Sequence, residues 1–186
     1  ACHTLLYPPL SVYSNSVPMT KILHLSDTHL GNRQYGSDTR RDDFTRAFDA
    51  AIDRALDENV DAVIHTGDLF HRRTPSLPIV TDYIEILRKL ADEDIPFYGI
   101  VGNHDRKMDQ QWLDLIRETG TAKRLDQTPT MVNDDVALYG IDAVTKPAWH
   151  AQISHSKKHR TLTRSDCWVS TNSSNRSCPS SMQTTT

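Results

Sequence analysis

Three times between Lys21 and Asp105 a short apolar run ends in a polar cluster that carries a glycine and an aspartate. Residues 21–26 (KILHLS) run into Asp27-Thr28-His29-Leu30-Gly31, and residues 62–66 (AVIHT) into Gly67-Asp68-Leu69-Phe70-His71. Residues 97–101 (FYGIV) run into Gly102-Asn103-His104-Asp105. Between these runs the apolar spacing changes to that of a helix. Phe44, Phe48, Ile52 and Leu56 mark one helix over 40–59; Val80, Tyr83, Leu87 and Leu90 mark another over 77–92. A third helix is expected over 110–118 and a further strand over 136–141. Strand alternating with helix predicts an α/β fold, a parallel sheet flanked by helices. In such sheets the carboxyl ends of the strands open on one crevice, so clusters far apart in sequence converge there. Three of the seven glycines stand beside these clusters, where the backbone must turn or approach closely.

Aspartate, histidine and asparagine together offer carboxylate oxygen, imidazole nitrogen and amide oxygen, with no thiolate. That set suits manganese, iron or zinc better than calcium. Asp27 and His29, two apart, both reach one ion if the strand end turns. Asp68 can bridge two ions with its two oxygens, and Asn103 can reach the second. Two ions about 3.5–4 Å apart polarise a phosphodiester, activate a water and steady the leaving oxygen. His104, beside a ligand, is placed to donate a proton to that leaving oxygen. His71 lies just beyond its cluster, on the substrate side. His24 and His65, within strands, read as packed or surface histidines. Taken singly, an Asp or Asn after a strand is a turn residue or helix cap. Three clusters in register at strand ends favour the metal reading.

DTHLG, GDLFH and GNHD resemble the first three motifs of the calcineurin-like metallophosphoesterases. Arg33-Gln34-Tyr35-Gly36, then Arg41, Asp43, Phe44, Ala47 and Phe48, make the resemblance more specific. These residues are similar to the Mre-type nuclease subunit of the Mre–Rad DNA double-strand-break repair complex. The resemblance covers about 19–149 and weakens after Lys107. It implies a metallophosphoesterase-like β-sheet core flanked by helices, half of a four-layer αββα sandwich. It implies Asp27 and His29 on one metal, Asp68 bridging, Asn103 on the other, His104 as the catalytic histidine and His71 in an auxiliary role. It further implies two Mn2+ ions per subunit, 3′-to-5′ exonuclease and single-strand endonuclease activity on DNA, an ABC-type coiled-coil ATPase as partner, and a homodimer.

The family pattern also needs later histidines, including a Gly-His-x-His pair; His150, His155 and His159 follow the third motif, but no Gly-His-x-His occurs. Composition changes at both ends. Residues 1–18 carry no Asp, Glu, Lys or Arg, and read as a non-native or disordered extension upstream of Met19. Residues 19–151 hold 16 basic and 23 acidic side chains and read as a partial nuclease domain. Residues 152–186 hold 15 Ser or Thr among 35. They read as a disordered tail, produced by a change of reading frame near His150, because such a composition buries too little apolar area to offset its ordering entropy. A chain so truncated is expected to bind metal weakly and to hydrolyse little.

The three cysteines all lie in the flanks, which fits a reducing cytoplasm and excludes a cysteine-based zinc site. No apolar run is long enough for a membrane span. The middle is acidic overall, yet Arg33, Arg72, Arg73, Arg106 and Lys107 flank the motifs. They form either a positive rim for a DNA backbone, with Arg33 and Arg106 on the substrate side, or ordinary solvated loop charge. P-loop, GxGxxG, GxSxG and HExxH patterns are absent, which removes support for motor, dinucleotide, serine-hydrolase and zincin functions. Three readings stay open: a two-metal DNA repair nuclease, a phosphatase or small phosphodiesterase of the same superfamily, and an inactive truncated product.

Overall fold

The structure, a computed structural model, describes residues 19–105, 110–134, 136–144, 166–170 and 183–185. The apolar runs form β1 (Lys21–Leu25), β2 (Ala62–His65) and β3 (Phe97–Gly99), joined in parallel, with a two-residue β4 (Lys123–Arg124) beyond β3. The helical stretches supply the crossovers: α1 (Asp38–Asp57), α2 (Leu77–Asp92) and α3 (Trp112–Glu118). A second sheet orders β5 (Thr130–Met131), β6 (Ala137–Ile141) and β7 (Asp166–Ser170), antiparallel then parallel. β8 (Gln183–Thr185) closes the first sheet beside β1, giving the order β4-β3-β2-β1-β8.

Strand alternation sorts the core into two layers. Leu23, Val63 and Phe97 face the helices and pack with Phe48, Ile52, Tyr83, Leu87 and Ile116. Ile22, Ala62, Ile64 and Tyr98 face the other way, against Leu125, Val136 and Leu138 of the second sheet region. A strand covered on both faces loses its polar alternation, which is why β2 reads AVIH and is buried throughout. Each fully buried large apolar side chain adds about 1.5–3 kcal/mol to holding these layers together. Phe48 and Tyr83 stack with ring centroids 4.8 Å apart and planes 5° from parallel, tying α1 to α2. Strand–helix alternation predicted the parallel sheet with its helices; the second sheet on the other face is the layering that the family resemblance implied.

α2 occupies the range its periodicity predicts, while α1 starts two residues earlier than expected and α3 two later. A 3-10 turn at Gln34–Gly36 and the two-residue strands β4 and β5 have no sequence signal, because so few residues carry no period. β7 and β8 fall inside the stretch read from composition as a disordered tail. Their pairing runs through backbone partners on β6 and β1, a kind of bonding that needs no apolar pattern. The extension at 1–18 and the rest of 152–186 lie outside the described residues. Among the described residues, no helix is long and apolar enough to cross a membrane.

Candidate metal centre

Just past β1 and β2 the chain enters a backbone conformation that L residues seldom adopt. Asp27, His29 and Asp68 have φ of 55°, 42° and 58°. A non-glycine residue held there costs on the order of 1–3 kcal/mol and persists only where its surroundings over-determine it. Here the two loops determine each other. The amides of Asp27, His29 and Leu30 donate to the carbonyls of Gly67, Asp68 and Leu69 at 3.2, 3.0 and 2.9 Å. The amide of His71 returns a bond to the Leu30 carbonyl at 3.0 Å. The parallel ladder of β1 and β2 is thus prolonged into the motifs, with its side chains turned toward one point.

That point is ringed by donors. One ligand atom each from Asp27, His29 and Asp68 lies within 4.8 Å of the others, and His29 Nε2 is 3.8 Å from Asp27 Oδ1. Asp27 is exposed, His29 partly buried and Asp68 buried, so the group opens to solvent on one side only. The Nδ1 of His29 is buried without a hydrogen-bond partner among the described residues. No bond therefore commits the imidazole to one tautomer. Two carboxylates converging on an uncommitted imidazole repel one another unless a cation lies between them, and this donor set fits a borderline divalent ion. Ser26 Oγ holds Asp27 Oδ2 by a short hydrogen bond.

The third motif closes over Asp68. The His104 amide donates to Asp68 Oδ1 at 2.9 Å, and the His104 ring sits 5.2 Å from that of His29, edge-on. Asn103 is exposed on the same turn, between Gly102 and His104. The His71 ring stands 6.0 Å from His29, also edge-on. Its pKa is lowered by partial burial and by the neighbouring His29, His104 and Arg72, which favours the neutral ring. The structure therefore brings Asp27, His29, Asp68, His71 and His104 together, whereas Asn103 is joined to them by no contact beyond its place beside His104 among the described residues. Arg33 ion-pairs with Asp38 at 2.6 Å and lines an adjoining cleft; Arg106 lies outside the described residues.

Two buried residues that the sequence reading did not assign to the site hold it together. Asp105 is 2% exposed and accepts the amides of Leu69, Phe70 and Gly102 at 3.2, 3.3 and 3.1 Å. Burial raises its pKa, against the opposing pull of those three bonds. It fastens the second motif to the third, and the only sequence signal for it is its place at the end of GNHD. His65 is fully buried, accepts the Gly67 amide on Nδ1 at 3.1 Å and meets Thr28 Oγ1 through Nε2 at 3.0 Å. Burial, then the nearby His24 and His29, lower its pKa to about 3, so the ring is neutral. The sequence left it as a packed or surface strand histidine; the structure packs it, beside a partner 37 positions away of which the sequence gives no hint.

A parallel sheet thus gathers Asp-x-His, Gly-Asp and Gly-Asn-His-Asp at its strand ends, with donors fit for a metal ion. The chain belongs to the calcineurin-like phosphoesterases, whose family profile matches residues 20–179. It is similar to the DNA double-strand break repair protein Mre11 of Halobacterium salinarum, at 52% identity over 126 residues, 68% of this chain and 32% of that protein. The same protein of Methanosarcina acetivorans is 52% identical over 126 residues, 68% of this chain and 20% of that one. A solved structure, the nuclease MPE of Pseudomonas putida, superposes with a TM-score of 0.44 and 21% identity, covering 66% of this chain and 55% of that chain. The chain spans about a third or less of the length of these two Mre11 relatives.

Proposed function

We propose that this chain carries the nuclease site of a DNA double-strand-break repair protein. The observation that carries this reading is the convergence of Asp27, His29 and Asp68 at the strand ends, with His104 against His29. Asp27, His29, Asp68 and Asn103 would hold two Mn2+ ions, which supply Lewis-acid polarisation of the phosphodiester and an activated water. His104, anchored through its amide to Asp68, is the group that hands a proton to the leaving oxygen. Neutral His71 lies on the substrate side of the same cluster.

A cleft of about 300 Å³ opens beside the first motif, lined by Leu30, Gly31, Arg33, Arg41, Arg72 and Ser76 among others. Tyr35, 90% exposed, stands two positions after Arg33 in sequence. Cationic walls with an exposed ring suit a nucleic-acid strand better than a small phosphomonoester, since phosphates pair with arginine and bases stack on tyrosine. The names of the similar Mre11 proteins point the same way. The finer reading is manganese-dependent 3′-to-5′ exonuclease and single-strand endonuclease activity, in a cytoplasmic homodimer that works with an ABC-type coiled-coil ATPase. Among the described residues these four donors, shared by two ions, leave each under-coordinated, so weak metal binding and slow turnover are the expected outcome.

The test compares Mn2+-dependent hydrolysis of a DNA duplex end and a single-stranded oligonucleotide with that of p-nitrophenyl phosphate. Slow DNA cleavage that Asp68→Asn abolishes is the expected result. Cleavage of p-nitrophenyl phosphate alone would move the chain to the phosphatases. Mn2+ uptake with no hydrolysis of either would make it an inactive member.

A further inference from the structure

We infer that His65 is a positioning residue for the metal centre, clamping the first ligand loop to the second through the hydroxyl of Thr28. The inference rests on the metal reading above and adds to it a residue that is not itself a ligand.

Thr28 sits between Asp27 and His29, in the loop where both neighbours carry positive φ. A loop in that conformation needs fixed partners on its central residue as well as on its ends. His65 supplies one. The Gly67 amide has its hydrogen to give and donates to Nδ1 at 3.1 Å. A neutral imidazole that accepts on Nδ1 must carry its proton on Nε2. That proton points to Thr28 Oγ1 at 3.0 Å, which leaves the hydroxyl hydrogen for the Leu69 carbonyl at 3.2 Å. Donors and acceptors therefore run in one direction, from Gly67 through His65 and Thr28 to Leu69. The chain begins and ends on the residues that flank Asp68.

The consequence is mechanical. Asp68 is held from both sides in its own loop, and the Asp27–His29 pair is held to that loop at its midpoint. Because the ring is fully buried, on a strand packed on both faces, it cannot swing to follow a loop that slips. A simple core histidine needs only to fill space; this one joins two segments through polar atoms that would otherwise be buried without partners.

The test uses the full chain in four variants: Thr28→Val, Thr28→Ser, His65→Gln and His65→Phe. Mn2+ binding is followed by electron paramagnetic resonance into the millimolar range, with thermal midpoints measured beside it. Thr28→Val keeps the shape and removes the hydroxyl, and is expected to weaken Mn2+ binding on the order of 10–100-fold, as loss of a ligand-orienting partner does. Thr28→Ser restores the hydroxyl and should return binding to within about threefold of the parent. His65→Gln, whose amide nitrogen can stand where Nε2 stood, should retain more binding than His65→Phe. Nitrogen NMR of the His65 ring should show the Nε2–H tautomer at neutral pH.

Unchanged Mn2+ binding in Thr28→Val, or an Nδ1–H tautomer at His65, overturns the clamp. So does a drop in thermal midpoint across the variants with no change in Mn2+ binding by the folded protein, which is what a packing role alone produces. A parent chain that takes up no Mn2+ overturns the metal reading and the clamp's purpose with it, whereas parent uptake with an indifferent Thr28→Val overturns the clamp alone.

Discussion

A β-carbon at Gly102 would stand 2.2 Å from both the amide nitrogen and the Oδ1 of Asp68. The first is backbone and the second is held by the His104 amide, so neither can yield without moving the second motif or breaking that bond. Gly102→Ala is therefore expected to destabilise the fold by about 1–3 kcal/mol through overpacking. It should also displace Asp68 and weaken Mn2+ binding by about tenfold or more. Urea unfolding and a Mn2+ titration on the same sample check both halves. A variant of parental stability and affinity would mean the third motif does not lie against Asp68.

Asp105 gathers three amides from two motifs. Asp105→Ala leaves those donors buried and unsatisfied, and is expected to cost about 2–4 kcal/mol. Asp105→Asn keeps one accepting oxygen and turns a donor toward the others, so its cost should be smaller. Denaturant midpoints for the pair decide it, and equal losses would show that the one accepting oxygen left in Asp105→Asn does nothing for the three amides.

The buried His65 makes stability depend on pH. Its pKa is about 3 in the fold against an ordinary value of 6.5, so below pH 6.5 the unfolded chain binds a proton that the folded chain refuses. Stability is full above that value and falls as pH drops toward 3. Between pH 7.5 and pH 5 the loss from this one group is about 2 kcal/mol. Urea unfolding across that interval, in the parent and in His65→Gln, measures it. The variant should show a shallower slope, and identical slopes would assign the acid sensitivity to other groups.

Of the three arginines in the cleft, two are already engaged. Arg33 and Arg41 pair with Asp38 at 2.6 and 3.3 Å, and Arg41 also holds Asp42 at 2.9 Å. Arg72 has no ion-pair partner among the described residues and is exposed. If the cleft takes a DNA backbone, Arg72→Gln should weaken oligonucleotide binding and lower the salt dependence of log affinity by about one. Fluorescence anisotropy at several salt concentrations reads both quantities. A salt slope that does not change would place the DNA path elsewhere.

Much of the architecture was legible from Ile22, Val63, Phe97 and the helical rows between them, because a period of 2 or 3.6 is written in the order of residues. The meeting of Asp27, His29 and Asp68 was legible too, since each stands at the carboxyl end of a strand in one parallel sheet. What lay beyond reach were pairings with no local signature. β4 and β5 are two residues long, and β7 and β8 join the sheets through backbone atoms that every sequence possesses. Asp105 and His65 show the same limit inside the site. Their residue types were plain to see, but the partners that join one motif to another lie 35 to 37 positions away.

Sequence alone determined which side chains could bind metal, where the strands and major helices fall, and that three polar clusters share one edge. Only the tertiary structure decided how these clusters are locked. The left-handed turns at Asp27, His29 and Asp68 are unfavourable in isolation and exist because two loops bond each other. Strain that is offset by distant partners leaves no trace in local sequence, since the compensating atoms come near only when the sheet has formed.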